Sequence, residues 1–103
     1  MVDLNKFMDM PLVEEAWEVV GEYEFYIVEC PVKLKIKVIR ESNGSYMGVA
    51  NYKIQGPNQE SPYISLRFKE TVEDAIMDSL NGFLAYWNPA QADQIKLVPN
   101  KNY

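Results

Sequence analysis

Residues 11–20 follow a helical pattern of apolar and acidic positions. Asp9 can cap a helix whose first turn holds Pro11, and Gly21 can end it. The glutamates of this segment fall on the side opposite to its apolar residues. The apolar positions at helical spacing are Leu12, Val13, Ala16, Trp17 and Val20. The pattern predicts a short amphipathic helix. Because such a helix persists only with tertiary contacts, we expect its apolar side, Trp17 included, to be buried.

The hydrophobic period changes to two at Tyr23, which predicts β-strands. Two alternating runs flank Cys30 and Pro31, and a two-residue connection at these positions closes them into a hairpin. Every cross-strand pair in that hairpin is favourable, including Glu24 opposite Lys37. Its apolar pairs are Tyr23 with Val38, Phe25 with Ile36, and Ile27 with Leu34.

An Asn-Gly pair marks the next turn. A two-residue loop there would turn polar residues toward the core, and a shift of one residue turns every side chain over. A three-residue loop over 42–44, with Gly44 in the left-handed conformation, keeps small residues on the core side instead. The predicted third strand, 46–54, then sets Gly48 opposite Val38.

Apolar and polar residues alternate again after a loop at 55–61, which predicts a fourth strand. We expect Ile64, Leu66 and Phe68 to face the core. The opposite face would then carry Tyr63, Ser65, Arg67 and Lys69.

A long helix follows the fourth strand. Thr71 is a strong N-cap, and an apolar stripe continues from it until Asn88-Pro89 ends the helix. Gly82 lowers the helix propensity, which indicates that the helix packs closely against another element there. Residues 95–98 form either a short last strand or an extended tail.

These elements predict an α+β fold with two layers. A four-stranded antiparallel meander is packed by the long C-terminal helix, which we expect to lie over Gly48 and Ala50, and a short N-terminal helix precedes the sheet. The order is α-β-β-β-β-α, with the short last strand as an optional addition.

Composition fits a folded globule and excludes several classes of function. The 103 residues are 48% apolar and 13% aromatic. The absence of histidine removes the usual general base and the commonest metal ligand, and it leaves Cys30 without an activating partner. We therefore expect no catalytic residue, no cofactor and no metal. A single cysteine fits a reducing compartment, and the chain has neither a signal peptide pattern nor a membrane-length apolar run. The predictions are one domain over 1–103, loosely ordered at 1–8, in the cytoplasm, with no membrane contact.

Charge is strongly segregated along the chain, although the net charge is only −5. Residues 1–30 hold eight acidic and one basic residue, and 70–94 hold five acidic residues and no basic one. Between them, residues 31–69 hold seven basic and two acidic residues. Such segregation predicts either internal complementarity or two faces of opposite charge, each with its own partner.

The predicted outer face of the sheet, away from the long helix, is basic and carries tyrosines. Its candidate binding residues are Tyr26, Lys33, Lys35, Lys37, Lys53, Tyr63, Arg67 and Lys69. Rings and cations together suit single-stranded nucleic acid, where bases stack and phosphates pair. The same face could be covered by the first helix or by a second subunit, or it could be a solvated face whose lysines protect the sheet edge.

The function that we predict is a small non-enzymatic module that binds a protein partner or a second copy of itself. The segregated charge, the surplus sheet face and the tryptophans favour it. The alternative is a single-stranded nucleic-acid-binding domain that uses the basic outer face, although the net negative charge disfavours it.

Overall fold

The computed structural model describes residues 2–103 and shows an α+β fold. Two α-helices, a 3₁₀ helix and six strands follow one another along the chain. They are α1 (Asn5–Met8), β1 (Trp17–Phe25), β2 (Leu34–Glu41), β3 (Tyr46–Ala50), β4 (Tyr52–Gln55), β5 (Phe68–Lys69), α2 (Val72–Leu84), the 3₁₀ helix Pro89–Gln94 and β6 (Lys96–Pro99).

The strands form an antiparallel sheet of four, in the order β1-β2-β3-β5, and a second sheet in which β4 pairs with β6. The predicted four-stranded antiparallel sheet is therefore confirmed. Of the two possibilities for the end of the chain, the structure shows the short last strand. None of the helices formed within residues 2–103 has both the length and the apolar character needed to cross a membrane.

The turn between β2 and β3 is the predicted bulged loop. Gly44 has a φ of 90°, which only glycine adopts without strain. The Glu41 amide donates to the Ser45 carbonyl at 3.0 Å, so three residues connect the strands. Val38 lies opposite Gly48, as the bulge requires.

The hairpin of β1 and β2 is present, but its predicted register is wrong by two residues. Tyr23 lies opposite Ile36, and Phe25 lies opposite Leu34. The connection is longer than two residues because β1 ends at Phe25. The chain then turns through Glu29, whose φ of 58° is left-handed.

The predicted helix over 11–20 is wrong. Residues from Trp17 onward belong to β1, and the N-terminal helix is the single turn of α1. Trp17 is 52% exposed and Leu12 is 98% exposed, so the predicted burial of this segment is wrong as well. Only Val13 and Ala16 of its apolar side are half-buried.

The N-terminal segment is attached to the sheet by a buried arginine. Arg40 of β2 is 6% exposed, and its Nε donates to a Glu18 carboxylate oxygen on β1 at 3.1 Å. Its Nη2 donates to the Val2 carbonyl at 2.7 Å. A buried guanidinium needs such partners because an unpaired charge in the interior is costly.

Helix α2 begins as predicted, since the Thr71 hydroxyl accepts from the Asp74 amide at 3.1 Å. It lies over β3 at a very short separation. A Cβ at Gly48 would be 2.5 Å from the Ala75 carbonyl oxygen, and a Cβ at Gly82 would be 2.7 Å from the Ser65 Cβ. The expected close approach of the helix at both glycines is confirmed.

The core lies between α2 and the sheet. Its completely or nearly completely buried members are Leu34, Ile36, Ala50, Ile54 and Phe83. Alternate residues of β2 therefore face the helix, and the residues between them face the opposite side of the sheet.

Asn51 separates the third predicted strand into β3 and β4 and so divides it between the two sheets. Its side chain accepts from the Lys35 amide at 2.8 Å and donates to the Lys33 carbonyl at 3.1 Å. These two side-chain bonds join the backbone bond from the Asn51 amide to the Lys35 carbonyl, at 2.9 Å, in holding this point of the chain to β2 and to the residue before it.

Candidate interaction surface

The segment 64–69 presents the opposite face from the one predicted. Ser65 is 5% exposed and donates from its hydroxyl to an Asp78 carboxylate oxygen on α2 at 2.7 Å. Phe68 lies opposite Met47 on β3, on the side of the sheet away from α2. The expected core positions Leu66 and Phe68 are instead 49% exposed.

This inversion makes the outer face of the sheet apolar. Ile39 and Val49 form a floor, at 7% and 9% exposure, and Met47 lies between them. Trp17, Leu66 and Phe68 surround the floor, and the space they enclose has a volume of about 480 Å³. We call this concavity the outer groove. Its size is within the range of ligand and peptide pockets, which are ~300–1,000 Å³.

The side chains around the outer groove are large, apolar and half exposed. Trp17 is 52% exposed, and the neighbouring Val19, which lies opposite Ile39, is 55% exposed. Leu66 and Phe68 complete the rim. Helix α2 packs on the other side of the sheet, and the groove is lined in addition by Met8 of α1, by Ala16 and by Asn100 and Asn102 near the end of the chain.

Three charged side chains lie at the two ends of the outer groove. Glu15 and Glu41 are at the end where β2 finishes, and Lys53 of β4 is at the other end. None of the three takes part in a salt bridge within 4.0 Å among residues 2–103.

The predicted basic residues near β2 are on the outer side of the sheet, but acids from β1 accompany them. Lys35 lies opposite Glu24, and Lys37 lies opposite Glu22. Lys33 pairs with Glu24 at 3.3 Å, and this hydrogen bond raises the pKa of Lys33 above its usual value. The Lys33 ammonium also lies 5.7 Å from the centre of the Tyr26 ring, which is 79% exposed.

The C-terminal tyrosine adds an aromatic ring beside Lys37. The Lys37 ammonium lies 4.7 Å from the Tyr103 ring centre, and the Tyr103 hydroxyl donates to Glu22. Burial raises the pKa of the Tyr103 phenol above its usual range, and the hydrogen bond to Glu22 raises it further.

The remaining predicted residues are on the helix side, so their placement on the outer face is wrong. The Arg67 Nη1 is 3.9 Å and the Lys69 Nζ is 4.0 Å from Asp78 of α2. Tyr63 packs at 5.1 Å against Tyr86, beyond the end of that helix. The structure thus divides the eight candidates between two sides of the sheet, with Lys53 at the outer groove. Their binding role stays a prediction.

The residues that form the outer groove were missed by sequence reasoning, with the exception of Lys53. Trp17 was expected in a buried helix, and Leu66 and Phe68 were expected in the core. Gly82 carried a signal that could have corrected this. A glycine in the helix indicates close approach to the preceding extended segment, and the residue that it meets must be small, as Ser65 is.

Among residues 2–103, no three acidic or cysteine side chains gather at a metal-binding distance. Comparisons of the chain with protein-family models, with curated proteins and with solved structures gave no significant match.

Proposed function

We propose that this chain is a protein-interaction module and that the outer groove is its binding surface. The observation that carries the proposal is the continuous apolar area formed by the buried floor and the half-exposed rim of Trp17, Leu66 and Phe68. Exposed apolar side chains that surround a concavity with a polar rim are typical of interaction sites, and aromatic side chains are enriched in protein interfaces.

The rim offers enough free energy for recognition. A tryptophan or phenylalanine side chain buries ~150–250 Å², so a half-exposed one can still bury about 100 Å² on a partner. At ~25 cal/mol per Å², Trp17 and Phe68 each contribute about 2–3 kcal/mol when covered. Residues of this kind, next to a well-packed floor, are the usual hot spots of protein interfaces.

A binding role also fits the chemistry of the groove better than catalysis does. Its floor consists of Ile39, Met47 and Val49, which carry no reactive group, and its charged residues lie at the two ends. Binding free energy therefore comes from apolar contact, and the end charges orient the partner.

The nucleic-acid alternative has less support than it had from the sequence. Stacking and phosphate contacts need rings and cations along one surface. Tyr63, Arg67 and Lys69 lie on the helix side, and Glu22 and Glu24 stand beside the lysines of β2.

Site-specific photo-crosslinking tests the proposal. A benzophenone side chain replaces Val19, which is 55% exposed on the outer face, and the protein is expressed in cells of its source organism. The matched control carries the same group at Met77, which is 57% exposed on α2. We expect a protein adduct from position 19 that disappears when Phe68→Ser is added, and no such adduct from position 77. If position 19 gives no more adduct than position 77 does, the proposal fails.

A further inference from the structure

The chain exposes more surface than its mass requires. Its accessible surface is 6842 Å². A folded monomer of 11.9 kDa is expected to expose about 5,950 Å². The excess of roughly 900 Å² is close to the ~800 Å² that each partner contributes to a standard protein interface. The radius of gyration of 15.5 Å likewise exceeds the ~13 Å of a compact domain of 100 residues. A second copy covering one face would remove an excess of this size.

The outer groove also has charges of opposite sign at its two ends. Glu41 is the last residue of β2 and lies beside Ser45, whereas Lys53 is eight positions farther along the antiparallel chain. The five residues of β3 that lie between these positions span roughly 16 Å. Glu15 accompanies Glu41 at the acidic end, and these charges have no salt-bridge partner within residues 2–103.

From these observations, and on the basis of the function proposed above, we propose that the occupant of the outer groove is a second copy of this chain. The two copies pack outer face to outer face, with their β2 strands antiparallel about a two-fold axis perpendicular to the strands. That orientation sets Glu41 of each copy near the partner's Lys53, whereas parallel strands would set acid against acid. Because a two-fold axis repeats every contact, each favourable pair occurs twice.

Edge-to-edge pairing of two sheets is a weaker route to self-association. β1 forms one edge, and it carries Glu18, Glu22 and Glu24 without any basic residue. Two such edges repel each other. The other edge, β5, has only two residues to offer. The outer face is therefore the surface on which two copies are complementary.

Charge reversal at the two ends of the groove tests this arrangement by sedimentation equilibrium. We expect the wild-type chain to dimerise and the variants E41K and K53E each to dissociate about tenfold more readily, since each then brings like charges together at two symmetric contacts. A one-to-one mixture of E41K with K53E restores wild-type affinity as a heterodimer, and so does the double variant. Both positions are at the rim, and thermal unfolding of each variant serves as the control for folding.

Three results would overturn the proposal. The first is a wild-type chain that remains monomeric up to about 1 mM. A dissociation constant of that size corresponds to a free energy of association of only ~4 kcal/mol. The second is a dimer that neither reversal weakens. The third is a pair of weakened variants whose mixture does not recover. If the chain is monomeric and the benzophenone at position 19 crosslinks to a different protein, the second copy is excluded as the occupant. The proposal of a protein-interaction module is then retained. If Val19 gives no adduct either, both proposals fail.

Discussion

The two sides of the four-stranded sheet are built from the same strands and differ sharply in how their apolar residues are used. On the helix side, Leu34, Ile36 and Val38 are completely buried. On the outer side, Trp17 and Val19 of the neighbouring strand are half exposed, although they are just as apolar. One helix layer covers only one face of a sheet, so large apolar residues on the other face stay partly exposed.

Side-chain size separates the two sides as well. The helix side has a small residue where α2 comes closest, namely Gly48 of β3, which faces Ala75 and Ser79, and Ala50 follows it in the core. The outer side has large residues around an open groove. Small residues allow close approach within one chain, whereas protruding large residues are available to a separate molecule. The helix side thus holds the closely packed core, and the outer side is the face to which the proposed association is assigned.

Truncating one apolar residue on each side is the most direct test of that difference. Ile36→Ala should lower the free energy of unfolding by about 4 kcal/mol, because a fully buried side chain leaves a cavity. Phe68→Ala removes more atoms but should cost no more than about 2 kcal/mol, since half of its surface is already in water. Urea unfolding of both variants measures the two values. Equal losses would show that the outer side is also part of the core.

Closing the gap between helix and sheet should have the next largest effect. Gly48→Ala places a methyl group 2.5 Å from the Ala75 carbonyl oxygen and should cost about 3 kcal/mol through displacement of α2. Gly56→Ala is the matched control, because its Cβ would meet only the end of the Gln59 side chain, at 3.2 Å. Thermal unfolding of the two variants should differ by more than ten degrees, on the scale of ~4–8 °C per kcal/mol. Similar melting temperatures would contradict the close helix–sheet packing.

A buried ion pair of β1 and an exposed one should also differ in how much each contributes to stability, with the larger contribution from the buried pair. Glu18→Gln leaves the 6% exposed Arg40 without its counter-charge and should cost about 1–2 kcal/mol. Glu24→Gln affects the exposed pair with Lys33 and should leave the free energy of unfolding almost unchanged, because solvent screens this pair. Urea unfolding at low and high salt separates the two, and a loss at Glu24 equal to that at Glu18 would contradict the difference in burial.

The smallest effect should come from Tyr103, which covers the basic part of the outer side. Its phenol has a pKa raised above the ordinary 10.0, by burial first and by the hydrogen bond to Glu22 second. The folded state therefore holds this proton more tightly than the unfolded state. The stabilisation is complete below pH 10, and it is lost as the pH rises through the folded pKa.

Titration of tyrosinate absorbance in the wild-type chain and in Tyr103→Phe measures this pKa. The variant should lack a phenol whose pKa lies above the ordinary 10.0, and its stability should fall less steeply above pH 10. If Tyr103→Phe instead removes a phenol with the ordinary pKa of 10.0, the described packing of Tyr103 on Lys37 and Glu22 is wrong.

The parts of the fold that sequence could predict depend on short-range chemistry. Thr71 caps α2 with an amide three residues away, and Gly44 takes the positive φ that its own turn demands. Each of these signals lies within a few residues of its effect, so a local pattern contains all the information that it needs.

The N-terminal error arose where the decisive partners are distant in sequence. The apolar positions of 11–20 fit a helical period, yet Trp17 pairs with Glu41 and Glu18 binds Arg40. Those contacts span more than twenty residues. A local period cannot include them, and tertiary contacts override a helix of only ten residues.

The predicted facing of residues 64–69 was wrong for a related reason. Alternation correctly indicated an extended segment, but it does not state which face meets the core. The facing of this segment depends on Asp78 of α2. Its carboxylate accepts a hydrogen bond from Ser65 and lies within 4.0 Å of the Arg67 and Lys69 cations. The side chains of Ser65, Arg67 and Lys69 therefore lie on the helix side. Because neighbouring residues of an extended segment face opposite ways, Leu66 and Phe68 lie on the outer side.

The amide of Asn51 has a consequence for the chemical ageing of the protein. Its Nδ2 donates to the Lys33 carbonyl while its Oδ1 accepts from the Lys35 amide. Deamidation replaces that NH₂ with a second oxygen, so two acceptors would face each other where one hydrogen bond stood. The reaction changes a single atom group, but it occurs where the chain passes from one sheet to the other. A slow loss of ammonia at this position would therefore loosen β4 and β6, and with them Lys53, from the rest of the molecule.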